Sequence, residues 1–397
     1  MIAINLNDTT KTTIENIHWE WFKSRIYGSN FRFKHHKKQG KNSYFFIPRI
    51  QVIKWILGIK KDSTLERIIK ANSGELIHFI KKFKRKIICE EPKQENYKSK
   101  RSFQRAKKKY NYAELLQTAF GYDDFQSSPK IKWYEDFCNQ NNTEWNAKIL
   151  CSILKINVCP YCNREYIFTY DDEKKNKKTL AEMDHFYPKS KYPYLSCSLY
   201  NLIPSCHTCN HGKREFGENI IYPYEEDFGP EYSFRIKYGK KISALDDILD
   251  IENSQIFINW KKKGLKVTNK EKEKNKKVTA SIKTFHLTEI YNEHRIEIKD
   301  LINRYHNYSN PKIDEITKLI LHEKFVNEGL QLSEEQVESF YQVFVDAYNQ
   351  RIRDIILGIP LKTESNEYPL RKFKEDIIEQ LDKTASDMRK KSTNNTP

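Results

Sequence analysis

Apolar residues recur at helical spacing over Ile50–Ile59 and Thr64–Phe83, which predicts two amphipathic helices near the start of the chain. The same spacing predicts short helices over Asn111–Phe120 and Trp133–Ile156. The period then changes. Arg164–Tyr170 alternates as a strand, the lysine-rich DDEKKNKKT is a turn, and Leu180–Phe186 resumes as a second strand. Pro188 through Ser198 holds two prolines and little periodicity, so a loop is expected there. Asn201–Pro204 reads as a short strand, and Asn210–Gly217 as the start of a helix. Beyond residue 230 a β-like opening gives way to helices. Leu287, Ile290, Tyr291, His294, Ile298, Leu301 and Ile302 form a helical stripe. Ser333 and Gln336 make a capping box for a helix over Ser333–Ile359, and Pro369 stands at the first position of another, Pro369–Lys383. The expectation is an α+β chain: a small β-containing core embedded in a mainly α-helical protein. Its expected divisions are a basic, mainly helical 1–110, a core domain over 111–230 and a mainly helical 231–397.

Composition sharpens this. Aromatic residues make up 13% of the 397 positions, which argues against a disordered chain. Only 12 glycines are present, against a large dinucleotide-binding enzyme, and no GxxxxGK[ST] run exists, so the chain is not itself a P-loop ATPase. The net charge of +17 favours a polyanionic partner, nucleic acid before an acidic membrane. No apolar run reaches the length of a transmembrane helix, and MIAINLNDTTKTT lacks the pattern of a signal peptide. A cytoplasmic protein without membrane contact is expected. The stretch Lys81–Tyr110 carries 13 Lys/Arg against three Glu. Its second half, with Lys107, Lys108 and Lys109, reads as a solvated basic segment that either meets phosphates or is a plain linker. Lys261–Lys277 is a second basic stretch.

Eight cysteines in a reducing compartment do not suggest a disulfide framework. Cys159/Cys162 and Cys206/Cys209 form two CxxC pairs, and four thiolates make a closed, structural zinc site. His207 lies inside the second pair as an alternative ligand. Between the pairs stand Asp184-His185 and Asn201; Asn210 and Lys213 follow the second. Phosphodiester hydrolysis needs an activated water and a cation for the phosphate. Asp184 and Asn210 offer hard oxygen donors suited to Mg²⁺ or Mn²⁺. His185 titrates near neutrality and can take the proton from water, with His211 as the competing histidine. Lys213, one turn after Asn210, is a candidate phosphate contact.

Cys159, Cys162, Asp184, His185, Pro188, Ser190, Asn201, Leu202, Cys206, Cys209, Asn210 and Lys213 follow the order CxxC…DHxxPxS…NLxxxCxxCNxxK. This resembles the zinc-containing branch of the HNH (ββα-metal) endonuclease family, over about a sixth of the chain. The resemblance implies a zinc-stapled ββα-metal core and a divalent-metal-dependent nuclease cutting DNA, with RNA not excluded, to 5′-phosphate and 3′-hydroxyl ends. It implies that Asn201 holds the proline-rich loop and orients His185. WNAKILCSILKINVCPYCNREYI also looks, more loosely, like HNH proteins of bacterial anti-phage clusters, the Septu type. By that analogy, and from the length of chain outside the core, an ATPase partner or a homo-oligomer is expected. The competing reading is a zinc-ribbon nucleic-acid-binding module without catalysis, which would have no need of the Asp184, His185, Asn201 and Asn210 set.

Overall fold

Asn7 starts the first helix, α1 (Asp8–Gly28), by accepting the Thr10 N–H on its side chain at 2.7 Å. In this computed structural model the chain is mostly helical with small antiparallel sheets. The structure describes residues 1–36, 42–127, 129–213, 219–239, 246–249, 251–262, 264–308, 312–317, 319–320, 349–359 and 368–394. Two compact units form: Met1–Asp227 with Lys276–Phe285, and Phe228–Asn275 with His286–Pro397. Among the described residues, no helix is long and apolar enough to cross a membrane.

After α1 the first unit turns into the hairpin β1 (Asn30–His36) and β2 (Asn42–Pro48), with Phe31 opposite Ile47 and Phe33 opposite Phe45. This hairpin lies in the stretch expected to be mainly helical. Its signal is the aromatic–basic alternation of NFRFK, the period of a strand. Helix α2 (Arg49–Leu57) follows, then α3 (Asp62–Ile69) and α4 (Ser73–Phe83). The expected single helix over Thr64–Phe83 is thus two, because Asn72 caps the second by accepting the Glu75 N–H.

Helix α5 (Lys100–Phe120) corrects a second expectation. Lys107, Lys108 and Lys109 belong to a continuous helix rather than a solvated coil. The Ser99–Ser102 capping box starts it, and Ala106, Ala113, Leu116 and Phe120 bury one face. Lys107 and Lys108 remain exposed and Lys109 is half-buried. A boundary at residue 110 would fall inside this helix. Gly121 ends it with φ +55°, and a Cβ there would come within 1.5 Å of the Arg25 guanidinium. Arg25 is buried, pairs with Asp124 at 2.7 Å and donates to the Ala119 and Thr118 carbonyls in the last turn of α5. Three short helices come next: α6 (Tyr122–Ser127), α7 (Lys132–Asn141) and α8 (Ala147–Leu154).

The hairpin β3 (Thr169–Asp171) and β4 (Lys177–Thr179) draws its second strand from DDEKKNKKT itself, so the turn expected over that whole stretch shortens to residues 172–176. Strand β5 (Glu182–His185) pairs with β6 (Leu202–Ser205), Asp184 opposite Ile203 and His185 opposite Leu202. Helix α9 (His207–Lys213) follows at once; residues 214–217 of the expected helix lie outside the described residues.

In the second unit, Tyr232–Lys237 pairs with Gln255–Trp260. Amide side chains cover both edges: Gln380 bonds the Ile236 N–H and carbonyl, both at 2.9 Å, and Asn292 does the same for Ile256, at 2.9 and 2.8 Å. Phe234, Tyr291 and Phe373 cluster beneath, with ring centroids 4.3–5.1 Å apart. The stripe from Leu287 divides into helices Leu287–Asn292 and Arg295–Asn307. Pro369 stands in a turn two residues before the helix Arg371–Asn394, and Ser333 and Gln336 lie outside the described residues.

His18 sits at the centre of the first unit among Trp21, Phe125 and Trp145. Trp145 Nε1 donates to its Nδ1 at 2.9 Å, and its Nε2 donates to the Cys197 carbonyl at 2.8 Å. Burial drives its pKa down to about 4 from the usual 6.5. Below pH 6.5 the unfolded chain takes up a proton that the folded chain refuses, so stability falls as pH drops from 6.5 towards 4, by about 3 kcal/mol in all. Thermal unfolding followed across that window should show wild type losing more stability than His18→Gln, which keeps a polar amide but cannot titrate; parallel curves would contradict this.

Candidate metal centre and active site

Cys159 and Cys162 sit on a tight knuckle. The Asn163 N–H bonds the Cys159 carbonyl at 2.8 Å, Cys159 N–H bonds the Glu165 carbonyl at 2.9 Å, and Val158 bridges to Tyr166. Cys206 and Cys209 form the second knuckle, where β6 runs into α9. All four cysteines are buried, and their sulfurs lie within 4.8 Å of one another. A tetrahedron with Zn–S bonds of about 2.3 Å has sulfur–sulfur edges of about 3.8 Å; Cys162 and Cys206 stand at 3.9 Å. Burial pushes the Cys159 thiol well up, while hydrogen bonds from its three sulfur neighbours pull Cys162 well below its usual value. Four thiolates so close repel one another unless a cation sits among them. The donor set therefore fits a structural zinc ion. His207 stays out of it, its Nδ1 lying 2.7 Å from Glu182.

The N-terminus is tied to the first knuckle, Ile2 N–H bonding the Pro160 carbonyl at 3.0 Å. Tyr161, between the two cysteines, stacks on Phe285 at 4.5 Å and donates its hydroxyl to Asp184 at 2.6 Å.

Asp184 is buried on β5 and faces α9. Besides Tyr161 it receives the Lys213 ammonium at 2.8 Å. Lys213 is 0% exposed and also donates to the His185 carbonyl at 2.7 Å. Burial lowers its pKa, with Asp184 opposing. Lys213 is therefore not a surface phosphate contact: the strand–helix packing turns it inward onto a carboxylate. Asn210, on the same helix, donates its amide to Glu182 at 2.7 Å. Asp184 and Asn210 are thus each engaged with another partner. Asp184 would hold a Mg²⁺ or Mn²⁺ ion only with Lys213 displaced, whereas Asn210 is engaged through its nitrogen and not through the oxygen that would ligate the ion.

His185 points to the other side of β5. Its Nε2 lies 2.9 Å from the Ser196 carbonyl, and its ring meets Tyr122 edge-on at 4.4 Å. A carbonyl only accepts, so Nε2 carries the hydrogen and Nδ1 is the unprotonated nitrogen. Burial drives the imidazole pKa down to about 3, so the ring is neutral at physiological pH. Tyr122 and Ser196 also line a cleft of about 340 Å³ bordered by Arg49, Asp123 and Lys189.

Asn201 is fully buried. Its Oδ1 accepts the Tyr187 N–H at 2.7 Å, and its Nδ2 donates to the Tyr187 and Leu195 carbonyls at 3.0 Å each. One side chain therefore cross-links both arms of the loop that carries Ser196, the carbonyl that orients His185. The helices of the first unit grip the same loop. Ser198 donates to the Ile68 carbonyl at 2.7 Å, Cys197 to the Phe120 carbonyl at 3.1 Å, and Tyr200 to Glu15 at 2.6 Å. Tyr194 and Tyr200 are buried in this scaffold.

Four neighbours of the site escaped the sequence reading: Tyr161, Glu182, Arg49 and Lys189. Glu182 had a signal. It stands two residues before Asp184, so strand period puts both on one face. Arg49 and Lys189 are brought to the cleft by tertiary packing and had none.

Over 88 residues, 21% of this chain, the protein is 34% identical to the Septu protein PtuB of Bacillus thuringiensis. The match spans 31% of that protein, so the chain covers about a third of the length of its curated relative. No family model matches the chain, and no solved structure does.

The purified protein should hold one tightly bound zinc per four-cysteine cluster. Cys159→Ser or Cys209→Ser should lose it and melt far earlier, whereas Cys197→Ser keeps a donor for the Phe120 carbonyl and should retain metal and fold. Elemental analysis with thermal melting checks this; a zinc-free wild type would refute it.

Proposed function

We propose that the chain is a divalent-metal-dependent endonuclease of the HNH type, cutting DNA phosphodiester bonds in a Septu-like defence role. The observation that carries the reading is the state of His185: neutral, its tautomer fixed by Ser196, which with Tyr122 lines a cleft of mixed charge holding Arg49 and Lys189 beside Asp123 and Asp124. A neutral imidazole with Nδ1 unprotonated can receive the proton of an attacking water, but burial makes it a weak base until a bound phosphate draws its pKa back towards neutrality. Arg49 and Lys189 take the phosphate-binding role expected of Lys213. Arg49 suits it, since its Nε has no hydrogen-bond partner among the described residues. Exposed Lys107 and Lys108 extend the basic surface for sequence-independent backbone contacts. Mg²⁺ or Mn²⁺ would supply charge stabilisation at the phosphate; Asp184 can serve such an ion only if Lys213 releases it.

The similarity to PtuB supports a second Septu protein as the partner, an ATPase by the analogy drawn from the motifs, with a second copy of this chain as the alternative. One observation favours the rival reading of a zinc-ribbon binding module: the closure of Asp184 by Tyr161 and Lys213.

Supercoiled-plasmid nicking with Mg²⁺ or Mn²⁺, with and without a partner ATPase, separates the two. His185→Ala should reduce cleavage by at least a hundredfold while keeping zinc, fold and DNA binding. Asn201→Ala should leave a residual rate, because the base remains but its loop is loosened. DNA binding without cutting by wild type under every metal and partner condition would favour the binding module.

A further inference from the structure

Helix α9 presents a second donor group that neither the cysteine cluster nor the proposed base uses. His207 and His211 are one turn apart, with ring centroids 4.1 Å from each other. His207 Nδ1 lies 2.7 Å from one oxygen of Glu182 and His211 Nε2 lies 3.7 Å from the other. The three ligand atoms lie within 4.8 Å of one another. Asn210 holds the carboxylate in place by donating to it at 2.7 Å. The arrangement is built on rigid parts: Glu182 is on β5 opposite Ser205, and α9 begins at the Cys206–Cys209 knuckle.

We propose that Glu182, His207 and His211 form a second metal site, separate from the four thiolates and from Asp184, that takes a transition-metal dication. Two imidazole nitrogens and a carboxylate oxygen select Zn²⁺, Mn²⁺, Co²⁺ or Ni²⁺ over Mg²⁺ or Ca²⁺, which want oxygen donors throughout. Three protein ligands leave coordination positions for water, unlike the closed cysteine cluster. Both histidine side chains are about two-thirds exposed, at 69% and 67%, so the ion exchanges with solvent. The competing explanation is a plain ion pair between Glu182 and a protonated histidine. Such a pair would take up no metal ion, which the titration below distinguishes. The proposal rests on this geometry alone and stands whether or not the chain cuts DNA.

The test is titration of the full chain, already carrying one equivalent of zinc, with Co²⁺ at pH 8, followed by calorimetry and visible absorption. Wild type should bind one further equivalent, with cobalt bands but no sulfur-to-cobalt charge transfer. His207→Ala with His211→Ala, and separately Glu182→Gln, should weaken that equivalent at least tenfold and keep the zinc. Mg²⁺ should not compete at similar concentration. Wild type binding no second equivalent, or the histidine double variant binding Co²⁺ as tightly as wild type, would overturn the site. Because the readout is binding, its failure is distinguishable from a failure of cleavage.

Discussion

The gathering of four buried cysteine sulfurs within 4.8 Å of one another, a set that fits a structural zinc ion, is the constraint on which the placement of β5, β6 and α9 depends. Cys159 and Cys162 lie more than forty residues from Cys206 and Cys209, and a strand pair of four residues each cannot hold such segments together. A metal among the sulfurs would join the first knuckle to the junction of β6 and α9. That junction fixes where α9 stands against β5. Every contact of Glu182 and Asp184 with Asn210, His207, His211 and Lys213 follows from it.

A second constraint acts on the opposite face of β5. The loop between Phe186 and Asn201 has little regular structure of its own, yet its Ser196 carbonyl decides which nitrogen of His185 is free. Asn201 satisfies three backbone groups of this loop with one amide, in a buried setting where an unmade hydrogen bond costs about 1–3 kcal/mol. Helices α1, α3 and α5 supply Glu15, Ile68 and Phe120 as further anchors. The N-terminal helices are therefore part of the site's scaffold. Arg25 in turn ties α1 to the end of α5 and to Asp124, which leaves no room for a side chain at Gly121.

The parts of the site that could be read from sequence are those whose chemistry is local. The CxxC spacings announce a thiolate cluster because both knuckles are tight turns. Asn201 stands out by its place in the motif, and its amide bonds the Tyr187 and Leu195 backbone. Lys213 was not. Helical spacing put it one turn beyond Asn210, but spacing does not say whether a side chain faces solvent or a carboxylate across a strand. The helix through Lys107–Lys109 escaped for the opposite reason: their charge density masked a buried stripe carried largely by alanines, which weigh little in a hydrophobicity pattern. The β1–β2 hairpin was hidden by its basic residues in the same way. Arg49 and Lys189 meet only through folding, and no local pattern marks them.

The most direct test of the central claim is zinc K-edge X-ray absorption on the purified chain carrying one equivalent of metal. The account predicts four sulfur neighbours at about 2.3 Å and no nitrogen or oxygen in the first shell. A shell with histidine nitrogen replacing one or more sulfurs would contradict it, because His207 would then belong to the clamp and the placement of α9 against β5 would need another cause.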